Sequence, residues 1–292
     1  MSDLPLTGLR ALSLAVNLPG PAAAARLQQL GASVTKVEPP TGDPLMFATP
    51  AYYEQLTDGQ QVVRIDLKSD VDSLWALLGK TDLLIVSSRP SALARLGLDW
   101  LSIHARLPQL CQVSIVGYPG NGAEIAGHDL TYQASVGTLS PPHLPTVLVA
   151  DLAGAERVVA DGLAALLQSA RTREGVHRQV ALSDVAQTMA QPASHGLTGP
   201  GGALGGALPG YGIYRAADGF VAVAALEPHF WSELVTRLGV DGTHSELEAA
   251  FYARTAAGWE AWGQEHGLPI AAIRDAGQHA TQRDSTTLEQ KA

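Results

Sequence analysis

His128 and Asp151 are the two residues whose types and positions could carry proton-transfer chemistry. Both lie in residues 126–156, AGHDLTYQASVGTLSPPHLPTVLVADLAGAE, and each stands at the boundary between a loop and a predicted helix. An imidazole changes charge near neutral pH, and a carboxylate can accept or return a proton. Each also has a structural alternative, since Asp151 could cap a helix and His128 could be a histidine with a purely structural partner.

The segments around these residues predict two helices. A loop rich in Gly and Pro, GYPGNG, precedes GHD, and TYQASVGTL then predicts a helix with Asp129 or Thr131 as its N-cap. We expect Asp129 to cap this helix rather than to react. The apolar run PTVLV leads into an Ala-rich amphipathic helix over about 151–170, which places Asp151 at or near a helix N-terminus.

Composition limits the classes of protein to which the chain can belong. Its 292 residues are 46% hydrophobic and 16% charged, enough to bury one large core or two moderate ones, and of these we expect two domains. A net charge of -9 argues against non-specific binding to nucleic acid or to an anionic membrane. The single Cys111 and the lack of metal-type cysteine spacing predict a reducing compartment and no metal. Arg10 interrupts the first apolar run, so we expect neither signal peptide nor membrane span, and a cytoplasmic protein.

The opening of the chain predicts a strand, a tight turn, a helix and a second strand. These are LRALSLAV, NLPGP, AAAARLQQLG and VTKVE, a pattern typical of a parallel sheet covered by helices. Pro21 suits the first turn of the helix, where free N–H groups could receive a phosphate. No Gly-rich nucleotide motif is present, so an ordinary unit without a ligand is the alternative.

Further strands bring three candidate elements to one edge of that sheet. QVVRIDL, DLLIVSS and LPQLCQVSIVG predict strands, with Arg89 at the end of the second and the GHD loop after the third. The first turn, Arg89 and His128 therefore all follow carboxyl ends of strands, where open α/β sheets bind ligands. A surface arginine paired with a carboxylate is the alternative for Arg89.

The second half of the chain predicts the end of the α/β domain, followed by a smaller, mixed domain. A polar, hairpin-like turn, a strand VHRQVAL and a helix from Ser183 or Asp184 come first, and Gly and Pro dominate residues 194–214, which indicates a linker or a mobile lid. GIYRAADGFVAVAAL predicts a hairpin, followed by the helix EPHFWSELVTRLGV, two more helices and a short strand. The predicted organisation is an α/β domain over 1–190, a linker over 191–210, an α+β domain over 211–275 and a polar tail over 276–292.

The motifs, taken in order, resemble those of the class III CoA-transferases together with the α-methylacyl-CoA racemases. The resemblance runs from about Leu6 to Asp275 and rests on LGASVTKVEPPTGDP, RIDLKS, SSRPSALARLGLD, GHDLTYQASVG, VADLAGA, GVHRQVALSDVA and YGIYRAADGFVAVAALEPHF. It implies a Rossmann-like, CoA-binding large domain, a smaller mixed domain, and an interlocked homodimer.

The resemblance also implies roles for three residues. Asp151 matches the carboxylate that transferases use as a nucleophile and racemases use as one of two acid/base groups. His128 matches the opposite acid/base group of the racemases, and Glu227, in EPHF, matches the glutamate that supports that histidine. Many transferases carry an aromatic residue in place of the histidine, so α-proton exchange on an acyl-CoA is favoured. CoA transfer to a carboxylic acid acceptor is the alternative.

One departure from the family pattern concerns the nucleotide end of CoA. Where relatives carry a basic segment before RIDLKS, this chain has Asp58-Gly59-Gln60-Gln61, which predicts weaker and less salt-sensitive CoA binding. A non-catalytic, CoA-ester-binding relative is therefore a third interpretation. The remaining candidates for contact with CoA are Lys36, Arg89, Arg95 and the first turn, with Val16 and Pro19.

Overall fold

The computed structural model describes residues 4–274 and divides into two compact units, with the boundary between Gln191 and Pro192. The predicted tail over 276–292, and residue 275 of the small domain, lie outside the described residues. In the described part, no helix is both long enough and apolar enough to cross a membrane.

The first unit is built on a six-stranded parallel sheet with the order β3-β2-β1-β4-β5-β6, which confirms the predicted α/β class. The order reverses between β1 and β4, the position at which open sheets of this kind bind ligands beyond their carboxyl ends. The strands are β1 (Arg10–Ser13), β2 (Ser33–Glu38), β3 (Gln61–Arg64), β4 (Leu83–Val86), β5 (Cys111–Val116) and β6 (His177–Ala181).

Helices cover both faces of this sheet, and each face has its own apolar core. The helices are α1 (Pro19–Gln29), α2 (Pro44–Ala48), α3 (Pro50–Thr57), α4 (Val71–Leu78), α5 (Pro90–Arg95), α6 (Trp100–Arg106), α7 (Asp129–Val136), α8 (Val149–Thr172) and α9 (Leu182–Met189). Helices α1 and α8 pack on one face, with Ala23, Leu27 and Val158 fully buried. Helices α4 and α6 pack on the other, with Leu74 and Ile103 fully buried.

The turn between β1 and α1 brings the helix unusually close to the end of the strand. A Cβ atom at Gly20 would lie 2.1 Å from the Cβ of Ala15, so only glycine fits there. Pro19 and Pro21 have no amide hydrogen, and the amide of Ala22 already donates to Leu18 O. The first turn of α1 therefore offers the amide of Gly20 alone, fewer donors than a phosphate site at a helix N-terminus normally supplies.

Two connections differ from the sequence-based expectation. The polar segment after α8 leads into β6, which pairs with β5 in parallel, so the connection is not a hairpin. Arg173 ends α8 in a left-handed conformation with φ of 63°, which turns the chain back toward the sheet. Residues 191–210, predicted as a linker, contain α10 (Gln191–Ser194) and a turn (Ala203–Ala207) whose backbone is not helical at Gly205 and Gly206.

In its described residues, the second unit contains a three-stranded antiparallel sheet and three helices that follow α10. The predicted hairpin is present, with the amide of Ala216 donating to Gly219 O at 2.9 Å across the turn. One face of the sheet packs on the helices through Tyr214, Val221 and Phe251. The elements are β7 (Tyr211–Arg215), β8 (Phe220–Ala224), α11 (Pro228–Leu238), α12 (His244–Phe251), α13 (Ala256–His266) and β9 (Ile270–Ala272).

Candidate active site

A cleft of about 410 Å³ opens in the first unit at the carboxyl ends of its central strands. Its walls come from the turn after β1, the loop after β4, the end of β5 and the start of α9, which places it where the strand order reverses. A second cavity of about 230 Å³ shares several of the same residues and extends toward Ile125. The lining includes Val16, Asn17, Pro19, Ser87, Ser88, Arg89, Ile115, Gly117, Gly127, His128, Tyr132, Asp151 and Leu182.

The structure thus brings together five of the eight residues singled out from the sequence: Val16, Pro19, Arg89, His128 and Asp151 all line this cleft. The other three lie elsewhere. Lys36 is buried beneath the first turn, Arg95 is exposed at the end of α5, and Glu227 belongs to the second unit.

His128 is the N-cap of α7 and is exposed to solvent. Its backbone amide donates to Thr131 Oγ1 at 3.1 Å, and that hydroxyl donates back to His128 O at 2.8 Å. The predicted N-caps Asp129 and Thr131 are therefore wrong: His128 occupies that position, and Thr131 lies within the first turn. Because the backbone of His128 is held this way, its ring is placed at the mouth of the cleft.

Asp151 lies in the first turn of α8 and is not its N-cap. The N-cap position is Leu148, whose side chain cannot accept a hydrogen bond. The acceptor comes from another helix, since Asp129 Oδ1 accepts from the amides of Ala150 at 2.7 Å and Asp151 at 3.1 Å. The helix-cap alternative for Asp151 therefore does not hold, and Asp129 caps α8 instead of α7.

The Asp151 carboxyl titrates near neutral pH. Burial, followed by the negative charge of Asp129, raises its pKa to about 6, and His128 opposes this rise. Within residues 4–274 the Asp151 carboxylate has no hydrogen bond or ion pair. A carboxyl with these properties can take up and release a proton at physiological pH.

Tyr132 is a lining residue that the sequence-based argument missed. Its side chain is buried, and burial, followed by the charges of Tyr118, Asp151 and Asp129, raises its pKa to about 12. The ring lies against Gly117 and Gly127, where an added Cβ would approach its hydroxyl to 2.6 Å and 2.7 Å. The available signal was its position one helical turn after His128, on the same face of α7.

Lys36 is engaged in a buried network and is not free to bind a ligand. Its ammonium donates to Asp43 Oδ2 at 2.7 Å and to Ala15 O at 3.2 Å, and its side chain is 0% exposed. Asp43 Oδ1 in turn accepts from the amide of Asn17 at 3.0 Å. The prediction of Lys36 as a CoA contact is not supported, because this lysine instead anchors the first turn from below.

The turn itself has few unpaired amides. The amide of Val16 donates to Ser87 Oγ at 3.3 Å, in addition to the bond between Asn17 and Asp43. Val16 and Pro19 therefore present their side chains and carbonyl groups, more than their amides, to the cleft. This turn therefore forms one wall of the cleft and offers few amides that could donate hydrogen bonds to a phosphate.

Arg89 and Arg95 stand at the two ends of α5, and both are exposed. Glu124 accepts hydrogen bonds from the amide and hydroxyl of Ser91, which lower its pKa, and the charges of the two arginines lower it further. Among residues 4–274, Arg89 forms no ion pair within 4.0 Å. Its guanidinium is available at the rim of the cleft.

Glu227 is the N-cap of α11 and is exposed in the second unit. Its side chain makes no capping hydrogen bond to the helix that follows. The carboxylate is thus not committed to a local partner within the described part of that unit.

Comparison with known proteins gives the family. Residues 6–290 match the model of CoA-transferase family III. The chain belongs to that family. The predicted resemblance is confirmed, and the chain is an acyl-CoA enzyme of the transferase and racemase type.

The relatives include enzymes of both types. Succinate–glutarate CoA-transferase of Agrobacterium fabrum is 31% identical over 267 residues, which cover 81% of this chain and 67% of the relative. The human α-methylacyl-CoA racemase is 30% identical over 258 residues, which cover 80% of this chain and 65% of the relative. A crystal structure of Rv3272 from Mycobacterium tuberculosis has a TM-score of 0.82 and 28% identity, covering 94% of this chain and 86% of that one. The chain thus spans about two thirds of the length of these two enzymes.

Proposed function

We propose that this protein exchanges the α-proton of a 2-methylacyl-CoA, a racemase-type reaction in which His128 and Asp151 are the acid/base groups. The observation that carries the proposal is the presence of both residues in one cleft, with the pKa of the Asp151 carboxyl raised to about 6. A general acid or base works best when its pKa lies near the working pH. The sequence of the GHD motif supports the same choice.

The reaction needs two proton transfers at one carbon. Asp151, ionised, removes the α-proton and leaves an enolate of the thioester, and the His128 imidazolium then delivers a proton to the opposite face of that carbon. The reverse direction begins with neutral His128 as the base and protonated Asp151 as the acid. No atom is gained or lost, and only the configuration at the α-carbon changes. We assign to Glu227 the orientation of the His128 ring, as the family motif implies.

The CoA part of the substrate is assigned to the carboxyl edge of the sheet, in a Rossmann-like arrangement. The strand order supports this placement, since such sheets bind ligands where the order reverses. Arg89 is the exposed cation at the rim, Val16 and Pro19 form the wall beside it, and Arg95 lies farther along α5. Lys36 contributes by holding the turn rather than by contact with CoA.

CoA transfer to a carboxylic acid is the second candidate, favoured by the unpaired Asp151 carboxylate and by the transferase relatives. In this reaction Asp151 attacks the thioester carbonyl, the C–S bond breaks, and CoA thiolate leaves a mixed anhydride. The thiolate then attacks the Asp151 carbonyl, which releases the first acid and forms an aspartyl-CoA thioester. The acceptor acid attacks that thioester and, through a second anhydride, leaves as its CoA ester. Asp151 is regenerated.

One experiment distinguishes these reactions. The protein is incubated with a branched 2-methylacyl-CoA in heavy water, and deuterium at the α-position is followed by mass spectrometry. We expect exchange in the wild type. Asp151→Asn and His128→Ala should each lower the exchange rate at least 100-fold from the face of the α-carbon that the missing group serves, because each group transfers a proton there. His143→Ala, a change in an exposed loop, is the matched control.

A second measurement, the trapping of a covalent adduct, tests for CoA transfer. An adduct at Asp151 that hydroxylamine or borohydride traps, together with an active His128→Ala variant, would end the racemase reading in favour of CoA transfer. Binding of the CoA ester with neither exchange nor adduct would identify a non-catalytic, CoA-ester-binding relative.

We also propose a homodimer, interlocked as the family resemblance implies. Apolar side chains just before α8 support a contact with the partner subunit, since Leu144, Val147 and Leu148 are all at least 40% exposed. Light scattering at micromolar concentration should give twice the chain mass of 30.5 kDa. A monomer mass would contradict this.

A further inference from the structure

Asp129 links the two candidate acid/base residues. It follows His128 in the chain, and its Oδ1 accepts hydrogen bonds from the amides of Ala150 and Asp151. Its Oδ2 accepts from Gln133 Nε2. The Asp129 side chain is almost completely buried, so these three N–H donors replace the water that a carboxylate would otherwise bind.

Gln133 strengthens the same connection. Asp129 and Gln133 are one helical turn apart on α7, and both face the N-terminus of α8. Gln133 Nε2 also donates to Val147 O at 3.1 Å, the carbonyl that precedes the N-cap of α8. The pair therefore holds the chain on both sides of Leu148 against α7.

This arrangement has a direct effect on Asp151. The first amides of a helix need acceptors, and an aspartate in the first turn commonly competes to be one. Asp129 already accepts from two of these amides, so the Asp151 carboxylate is not drawn into capping. Asp151 remains a lining residue of the cleft.

We infer that Asp129 is a positioning residue: it fixes the backbone of Asp151 relative to His128, holds its negative charge beside the Asp151 carboxyl, and leaves that carboxyl free to exchange a proton with the substrate. This inference rests on the proposed function, because the placement of Asp151 matters to the reaction only if Asp151 is a reacting group. The assignment differs from a catalytic role, since the oxygens of Asp129 are occupied by protein donors.

Electrostatics supports the geometric argument. Burial raises the pKa of Asp151 first, and the charge of Asp129 raises it further, whereas His128 lowers it. The other ionisable groups that line the cleft are Tyr132, from α7, and Arg89, from the loop after β4. Among the described residues, Asp129 is thus the carboxylate whose charge raises the pKa of Asp151.

Asp129→Asn tests this inference, because asparagine keeps an oxygen for the two amides and removes the charge. The Asp151 carboxyl is observed by carbon NMR in aspartate-labelled protein and assigned by its absence in Asp151→Asn. We expect the pKa of Asp151 to fall from about 6 by about one pH unit. The pH profile of α-deuterium exchange should move to lower pH by the same amount, with kcat reduced and KM for the acyl-CoA changed less than about twofold.

Asp161→Asn is the matched control, since Asp161 lies on α8 but pairs with Arg157 on the surface. It should leave the pKa of Asp151 unchanged. An unchanged pKa in Asp129→Asn would overturn the inference, and so would an exchange profile that stays in place while the pKa moves. If the wild type shows no exchange but the NMR shift occurs, the proposed function fails and the effect of Asp129 on Asp151 stands.

Gln133→Ala keeps the inference testable if Asp129→Asn does not fold. This variant retains the charge of Asp129 and its bonds to the two amides, and loses only the amide donor on the other oxygen. We expect the pKa of Asp151 to stay at about 6 or above. A fall toward the ordinary aspartate value would contradict the inference.

Discussion

Asp129 and Asp151 both lie close to the N-terminus of α8, but their carboxylates differ in hydrogen bonding. This difference distinguishes a structural carboxylate from one that is available to react. Asp129 is buried and accepts three N–H groups, whereas Asp151 is partly exposed to the cleft and accepts none among the described residues. Lys36 gives the same lesson for a cation. It was a candidate for contact with CoA, but two carboxylates and a carbonyl already surround it. The type of a residue suggests a role for its side chain, and the hydrogen-bond partners in the structure show whether the side chain is available for that role.

The raised pKa of Asp151 predicts how stability depends on pH. Its folded-state pKa of about 6 lies above the ordinary value of 3.8, so the folded protein binds this proton more tightly than the unfolded chain does. Stability from this group is therefore present below pH 4, decreases as the pH rises from about 4 to about 6, and stays reduced above that range. Asp151→Asn removes the effect.

We expect Asp151→Asn to be more stable than the wild type at pH 8 by about 1 to 2 kcal/mol, and equally stable near pH 4. This range is reduced from the full value of the pKa change because the carboxyl is partly screened by solvent. Urea unfolding at both pH values measures the difference. A gain that is the same at pH 4 and pH 8 would show that the carboxyl titrates normally.

At the scale of elements, α7 connects most parts of the site. His128 begins it, Asp129 and Gln133 hold α8, and Tyr132 lines the cleft on the face shared with His128. The close packing of Tyr132 depends on two glycines, since Gly117 and Gly127 leave room for its hydroxyl. The shape of the cleft therefore depends on the lack of a side chain at these two glycines as well as on the side chains that line it.

Gly127→Ala tests this dependence on close packing. Its Cβ would lie 2.6 Å from Tyr132 Cε1, and the buried ring cannot move away without displacing α7 or entering the cleft. We expect a loss of about 1 to 3 kcal/mol in stability and a clear fall in kcat/KM for α-deuterium exchange. Gly79→Ala, where the nearest atom would be 3.6 Å away, is the control and should change neither. A fully active Gly127→Ala would show that Tyr132 can move freely.

The elements that local pattern predicts are the ones that match the structure. The opening β1-α1-β2 unit, the strands that end at Arg89 and before His128, and the hairpin of the second unit all follow from apolar periodicity and turn residues. The cap of α8 could not be predicted, because the acceptor lies on another helix and is brought there by packing. The burial of Lys36 could not be predicted from the sequence either, since it depends on the fold of the loop that carries Asp43.

At the scale of the whole molecule, charge sets how a CoA ester can bind. The chain carries a net charge of -9, residues 58–61 supply no cation, and Lys36 is neutralised by two buried carboxylates. Arg89 is the exposed cation that lines the cleft. An anionic ligand therefore meets few positive groups, and the apolar and backbone walls of the cleft have to supply the remaining affinity.

Calorimetry with an acyl-CoA measures how much of the binding affinity depends on these positive groups. Because one or two exposed arginines act on the phosphates, we expect the Kd to rise by less than about 10-fold between 50 mM and 500 mM salt. Over this range the Debye length falls from about 14 Å to about 4 Å.

Arg89→Gln should weaken binding by roughly 10-fold, equivalent to about 1.4 kcal/mol, and should flatten the remaining salt dependence. Arg157→Gln, on the exposed face of α8, should leave both quantities unchanged. Tight binding that collapses with added salt, or an Arg89→Gln variant that binds as the wild type does, would show that cations outside this cleft hold the nucleotide.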